Sequence, residues 1–290
     1  MPDWDVLTPR TTAELAELLV HQPGKLLAGG TDLIPRLHRA PETDPVCLID
    51  LSRLSELRFI RQQGNVVEIG ALTTHAEIVA SSLLQQVAPA LVKASGSVGS
   101  PQTRVRGTLG GNLVNASPAA DTATPLLCLD AQVVLVSHVG QRQVTLAEFF
   151  ESPGRTCLQA GEYLHSISFP VPTGRWGADF QKLGRRNGMA IAVASGSVFL
   201  ELDESGVITT SRVALGSVAA KPVRSLHVEA VLKGQHPNST LFEQAAQAVF
   251  SDISPIDDLR ATREYRLHSA MVLVLRALEN AAHQAESMSL

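Results

Sequence analysis

The chain is poor in cysteine. It has three in 290 residues, Cys47, Cys128 and Cys157, and none forms a Cys-x-x-Cys pair. This excludes a zinc ribbon, a four-cysteine iron–sulfur site and a disulfide framework, and the three thiols are expected to be buried and inert. Charge is sparse as well. Charged residues make up 18% and the net charge is −4, so no basic face is offered to nucleic acid. Apolar runs are far too short to cross a bilayer. Met1 to Leu15 is polar and acidic, without the charged and apolar regions of a signal peptide, and a cytoplasmic location is expected. Several chemical signatures are missing. No G-x-G-x-x-G follows the first strand, and there is neither a P-loop nor an H-E-x-x-H. Ser97 lies in Ser95-Gly96-Ser97-Val98-Gly99, where a serine replaces the first glycine of a nucleophile elbow. The nine histidines are dispersed, and a lone one such as His75 reads as a surface or satisfied core residue.

What is present is a folding composition. Hydrophobic residues make up 44% of the chain, and its length is enough for two ordinary domains or one large one. Thr11-x-x-Glu14 predicts a capping box ahead of a helix whose apolar face carries Leu15, Leu18 and Leu19. Pro23-Gly24 stops it, and Lys25–Ala28 reads as a buried strand running into Gly29-Gly30-Thr31-Asp32. A short helical piece, a loop and the strand Val46–Asp50 complete a β-α-β unit. Gly64-Asn65 and Val139-Gly140 each mark a hairpin, Leu57–Arg61 with Val66–Ile69 and Gln132–Val136 with Arg142–Thr145. Helices are expected from His75 and over Leu83–Ala94, and a strand over Glu162–Phe169. Pro170-Val171-Pro172-Thr173-Gly174 is the best boundary, dividing 1–172 from 173–290. Beyond it three strands, 178–184, 191–202 and 207–215, precede helices near 225–233, 241–251 and 263–285. The expected class is α+β twice over: a two-part first domain, then a three-stranded antiparallel sheet with helices on one face.

Two glycine clusters carry the chemistry. Ala28-Gly29-Gly30-Thr31-Asp32 and Gly107-Thr108-Leu109-Gly110-Gly111-Asn112 each set paired glycines beside a hydroxyl. Missing β-carbons let an anion approach the backbone, and successive N–H groups can point at phosphate oxygens. Two such loops can clamp the two phosphates of a dinucleotide, although a glycine pair alone is more often an ordinary turn.

The wider pattern is more specific. Leu26-Leu27-Ala28-Gly29-Gly30-Thr31-Asp32-Leu33 resembles the first flavin motif of the molybdenum hydroxylase (xanthine dehydrogenase-type) FAD subunits, and Thr108 through Asp121 resembles their second. Gly70–Thr74, Ser100–Gly107, Lys182–Arg186, Leu215–Arg224 and Asp258–Arg266 also resemble the family, so the likeness runs in order along nearly the whole chain. It implies that Leu26 to Leu33 wrap the adenosine diphosphate part of FAD and that Thr108, Gly110, Gly111 and Asn112 close on the pyrophosphate and ribityl chain. Asn115, Ala120 and Asp121 continue the cofactor-binding set, with Asp121 bonding the adenine-side ribose or the nearby chain. Leu164 and Lys182 fall near the isoalloxazine; otherwise Leu164 is plain core and Lys182 a solvated lysine. Val98 stands where some relatives stack an aromatic on the flavin, and Ala190 where many carry an aspartate.

The resemblance also implies partners. Three cysteines cannot ligate two [2Fe–2S] centres, which need four thiolates each. The clusters are therefore expected on a small two-cluster subunit and the molybdopterin cofactor on a large one, in a dimer of heterotrimers, with NAD⁺ or another acceptor as the outlet. No catalytic acid or base and no metal ligand is assigned to this chain. The alternative is a stand-alone FAD-dependent oxidase or reductase, whose substrate chemistry would need more chain than follows Gly174.

Overall fold

Residues 4–39 and 46–288 are described by a computed structural model of the chain. They form a three-stranded, a five-stranded and a four-stranded sheet with helices against them, and a two-stranded ribbon, so the α+β class read from the sequence is the one observed.

The small sheet is parallel. Val46–Asp50 lies between Lys25–Leu27 and Trp4–Leu7 and pairs with both. Trp4–Leu7 escapes the sequence reading because it is a short edge strand, with Val6 half exposed. Thr11 caps the helix Thr12–His21 by accepting the Glu14 amide at 3.1 Å. The other half of the expected box slips by one residue: the Glu14 carboxylate accepts the Arg10 amide, at 2.7 Å. The loop expected before Val46 falls at 40–45, outside the described residues.

The five-stranded sheet joins the two hairpins through a common strand. Ile60–Gln63 pairs with Val66–Gly70, and Gln132–Ser137 with Gly140–Thr145; Tyr163–Pro170 runs antiparallel between the pairs. Gly64, at φ +59°, supplies the left-handed turn of the first hairpin. Helices His75–Ala80, Ser82–Val87 and Pro89–Gly96 follow it. The single helix expected over Leu83–Ala94 is thus two pieces, because Pro89 drives Ala88 out of the helical region, to φ −147° and ψ 52°.

The last sheet has four strands where the sequence led us to expect three. Arg175–Gly184, Ala192–Leu202 and Ile208–Gly216 are joined by Val223–Arg224, whose two residues pair with Ala214 and Leu215 and are too few to leave a pattern. Ala192–Leu202 is buried on both faces at every position but Glu201, with Ser195 and Ser197 among its buried residues. Val198 and Leu200 pack with the helix Arg263–Ser287, while Phe199 joins the core of the flanking unit. A β-carbon on Gly177 would overlap the Ala281 backbone, so only glycine lets the sheet lie this close to that helix. Arg175–Gly184 also faces the helix Pro89–Gly96, with Lys93 paired to Asp179 at 2.7 Å. Among the described residues no helix is long and apolar enough to cross a membrane.

Candidate functional site

The two glycine loops meet across a cleft of about 490 Å³, a size common for ligand sites. Leu26, Ala28, Gly29, Gly30, Thr31, Asp32 and Leu33 line it from the first loop, and Thr108, Gly111, Asn112 and Asn115 from the second. The paired glycines do not share one purpose. A β-carbon on Gly29 would overlap the Arg106 carbonyl oxygen and sit 2.6 Å from its carbonyl carbon; one on Gly110 would sit 2.7 Å from both Cβ and O of Ala71. These two glycines serve the approach of protein to protein. Gly111 is exposed, and a β-carbon there would meet the Thr108 hydroxyl at 2.9 Å and otherwise only Ala28, at 3.9 Å.

The backbone amides also divide. Thr108 caps the helix Leu109–Val114, and every amide that opens it is engaged. Leu109 donates to Thr73 O and Gly110 to Ala71 O, both at 2.9 Å, Gly111 to Thr108 Oγ1 at 3.1 Å, and Asn112 to Thr108 O at 3.0 Å. The amides of Gly29, Gly30, Thr31 and Asp32 make no hydrogen bond among the described residues. Gly30, at φ +71°, turns this run into a concavity of N–H donors suited to an anion. Both loops were expected to offer amides; the structure leaves them free only in the first, and the second presents side chains. Asn112 Oδ1 accepts the Thr122 hydroxyl at 2.6 Å, which leaves its NH₂ as a donor.

Other expected residues lie deeper. Leu27 packs with Leu37 and Leu48, Ala120 is buried, and Leu164 is 5% exposed within the main core. Asp121 and Lys182 form a buried ion pair whose side chains are 7% and 12% exposed, so Lys182 is not a solvated lysine. The Lys182 ammonium also donates to Ser97 O at 3.2 Å, and among the described residues Asp121 Oδ1 has no partner. Burial pushes the Asp121 carboxyl above its ordinary range, against the opposing pull of Lys182 and of the Ser97 hydroxyl. Of the thiols, Cys128 is buried and pushed up to about 12 by desolvation, whereas Cys47 and Cys157 are only half-buried.

His75, read from the sequence as a surface or satisfied core residue, is neither. It lines the cleft at 2% exposure, and its Nδ1 is sealed without a partner. Its only signal was its place directly after Gly70–Thr74. Burial first, then the Arg104 guanidinium, pushes the imidazole down to about 4 from 6.5. The unfolded chain therefore takes up a proton at 6.5 that the folded chain refuses until about 4. Stability from this group is present above pH 6.5 and is lost as pH falls toward 4. Denaturant unfolding of the flavin-free protein is expected to show His75→Leu removing about 3 kcal/mol of acid destabilisation across that window. An identical pH slope in the two proteins would contradict it.

Residues 2–172 match the family described as the FAD binding domain in molybdopterin dehydrogenase, and 178–281 match the CO dehydrogenase flavoprotein C-terminal domain. The chain belongs to the FAD-binding subunits of the molybdenum hydroxylases. It is 36% identical over 241 residues to the nicotinate dehydrogenase FAD-subunit of Eubacterium barkeri, covering 81% of each chain. To the xanthine dehydrogenase FAD-binding subunit of Escherichia coli O157:H7 it is 32% identical over 278 residues, covering 95% of this chain and 94% of that one. A solved structure of carbon monoxide dehydrogenase from Hydrogenophaga pseudoflava, lacking the Mo-pyranopterin moiety of its molybdenum cofactor, superposes with a TM-score of 0.93 at 32% identity, covering 98% of both chains. As a FAD-binding subunit of this family, the chain is part of an oxidoreductase complex. The cleft fits that cofactor. Its free amides suit phosphate oxygens, and Asn112 and Asn115 add polar side chains within the same cleft.

Proposed function

We propose that this flavin subunit relays electrons inside a heteromeric molybdenum hydroxylase, from iron–sulfur clusters on a partner chain to NAD⁺ or another acceptor. The observation that carries the reading is the row of unpaired amides from Gly29 to Asp32, sharing one cleft with Asn112 and Asn115. These amides would hold the pyrophosphate, with Leu26, Ala28 and Leu33 against the adenosine end. Thr108 and Gly110 fix the second loop, Gly111 leaves room for the ribityl chain, and Asn112 and Asn115 bond it. Asp121 and Lys182 do not line the cleft and would brace it from behind as a buried pair, and Ala120 and Leu164 belong to the core beneath. When bound, FAD supplies the exchange between single-electron and hydride transfer, and the protein's share is to place it and keep it dry.

The partners follow from what this chain can ligate. Its three cysteines are free, and among the described residues no group of three or more His, Cys, Asp or Glu is arranged to hold a metal. A small subunit with two [2Fe–2S] clusters and a large molybdopterin subunit would supply the remaining centres, in a cytoplasmic dimer of heterotrimers. Residues 1–172 would carry FAD and 173–290 would brace it.

Co-expression with both partners tests this. Anaerobic stopped-flow absorbance is expected to show substrate-dependent flavin bleaching only in the three-subunit complex. Acid precipitation of that complex is expected to release about one FAD per flavin subunit into the supernatant. Rapid bleaching of the single chain by xanthine, an aldehyde or an N-heterocycle would replace this reading with a stand-alone flavoenzyme. Flavin kept in the pellet would rule out noncovalent binding.

A further inference from the structure

His75 is a buried polar group that the protein itself leaves unsatisfied. Among the described residues its Nδ1 has no partner, and no opposite charge offsets its desolvation. Buried polar atoms are nearly always bonded, so a side chain kept at this cost is expected to act through its other nitrogen, Nε2. The His75 amide donates to Gly107 O at 3.0 Å, which anchors the residue beneath the contact between the two loops. A β-carbon on Gly107 would lie 3.2 Å from His75 Cδ2 and 3.4 Å from Thr31 Oγ1, so imidazole and hydroxyl converge over the same glycine. Thr31 belongs to the run of free amides. An N–H stranded on the sealed Nδ1 would be the costlier orphan, which places the proton on Nε2, on the Cδ2 edge that faces Gly107.

We propose that His75 is a further binding residue of the FAD cleft, donating its Nε2–H to a pyrophosphate oxygen beside the Thr31 hydroxyl. The proposal rests on the reading of this cleft as the FAD site. It makes a polar imidazole, costly in the empty protein, a specific donor in the loaded one. In the empty protein burial and Arg104 hold His75 neutral, so it meets the ligand as a hydrogen-bond donor.

The test uses the complex co-purified with its partners, stripped of flavin and titrated by calorimetry with FAD and separately with ADP, which has the pyrophosphate but no flavin. His75→Leu is expected to weaken both ligands about 10-fold or more, and His75→Gln, which keeps a side-chain N–H donor, to recover most of the loss. The flavin-free His75→Leu protein is expected to melt no lower than the wild type, since leucine removes the stranded nitrogen. That opposite movement of stability and affinity is what a merely structural histidine would not give. Unchanged affinity in His75→Leu overturns the proposal and leaves the FAD reading standing, as does weakened FAD with unchanged ADP, because His75 would then face the ring end. Wild-type complex that takes up no FAD would overturn the cleft assignment itself.

Discussion

Gly29→Ala is expected to reduce FAD in the purified complex to less than about a tenth of a molecule per flavin subunit, the largest loss from any single methyl group in the site. The added carbon has nowhere to go. It would overlap the Arg106 carbonyl oxygen and crowd Gly107 Cα at 3.1 Å, and these are backbone atoms that cannot rotate aside. The first loop must then lift off the second, and the concavity of free amides opens. Overpacking of this kind costs about 1–3 kcal/mol, which leaves the sheets intact. Circular dichroism is therefore expected to be unchanged while released flavin falls. Gly111→Ala is the matched control. Its β-carbon meets the Thr108 hydroxyl at 2.9 Å and little else, so partial retention is expected. Full FAD content in Gly29→Ala would show that the loop contact is not what shapes the cleft.

Lys182→Met is expected to destabilise the protein by about 3–5 kcal/mol at pH 7, as removal of one partner from a buried ion pair does. Asp121 would be left with the Ser97 hydroxyl at 3.4 Å as its remaining donor, and with Oδ1 already unpaired. The sign of the pH dependence follows from the same burial. Asp121 is already raised, and losing the lysine takes away the strongest influence holding it down. A carboxyl raised in the folded state is tolerated when protonated and costly when charged. The deficit relative to wild type is therefore expected to shrink as pH falls through the raised Asp121 range and to persist above it. Urea unfolding at several pH values reads this directly, and Asp121→Asn combined with Lys182→Met should recover part of the loss at neutral pH. A pH-independent deficit would mean that the pair contributes by packing alone.

Much of the architecture was legible because its causes are local. Gly64 at φ +59° makes a hairpin turn that Gly64-Asn65 announces. Misreadings were local too. Pro89 splits one expected helix, and the Glu14 cap bond lands on Arg10 because a one-residue offset costs a carboxylate little.

The chain's sequence alone determined the α+β class, the two glycine loops and the absence of cysteines for an iron–sulfur site. Only the tertiary structure decided what each loop does. Gly29 and Gly110 look alike in sequence to Gly30 and Gly111, yet the first two are pressed against Arg106 and Ala71 while the others turn the chain or face the cleft. The amides of Leu109 and Gly110 are consumed by Thr73 and Ala71, residues distant in sequence, and those of Gly29 to Asp32 are left free. Lys182 is buried where it pairs with Asp121, 61 residues away in sequence, and His75 is buried where Gly107 closes over it. Hydrogen-bond satisfaction and burial are properties of a group together with whatever lies across from it. A periodicity or a motif records one side of that contact, and only folding brings up the other.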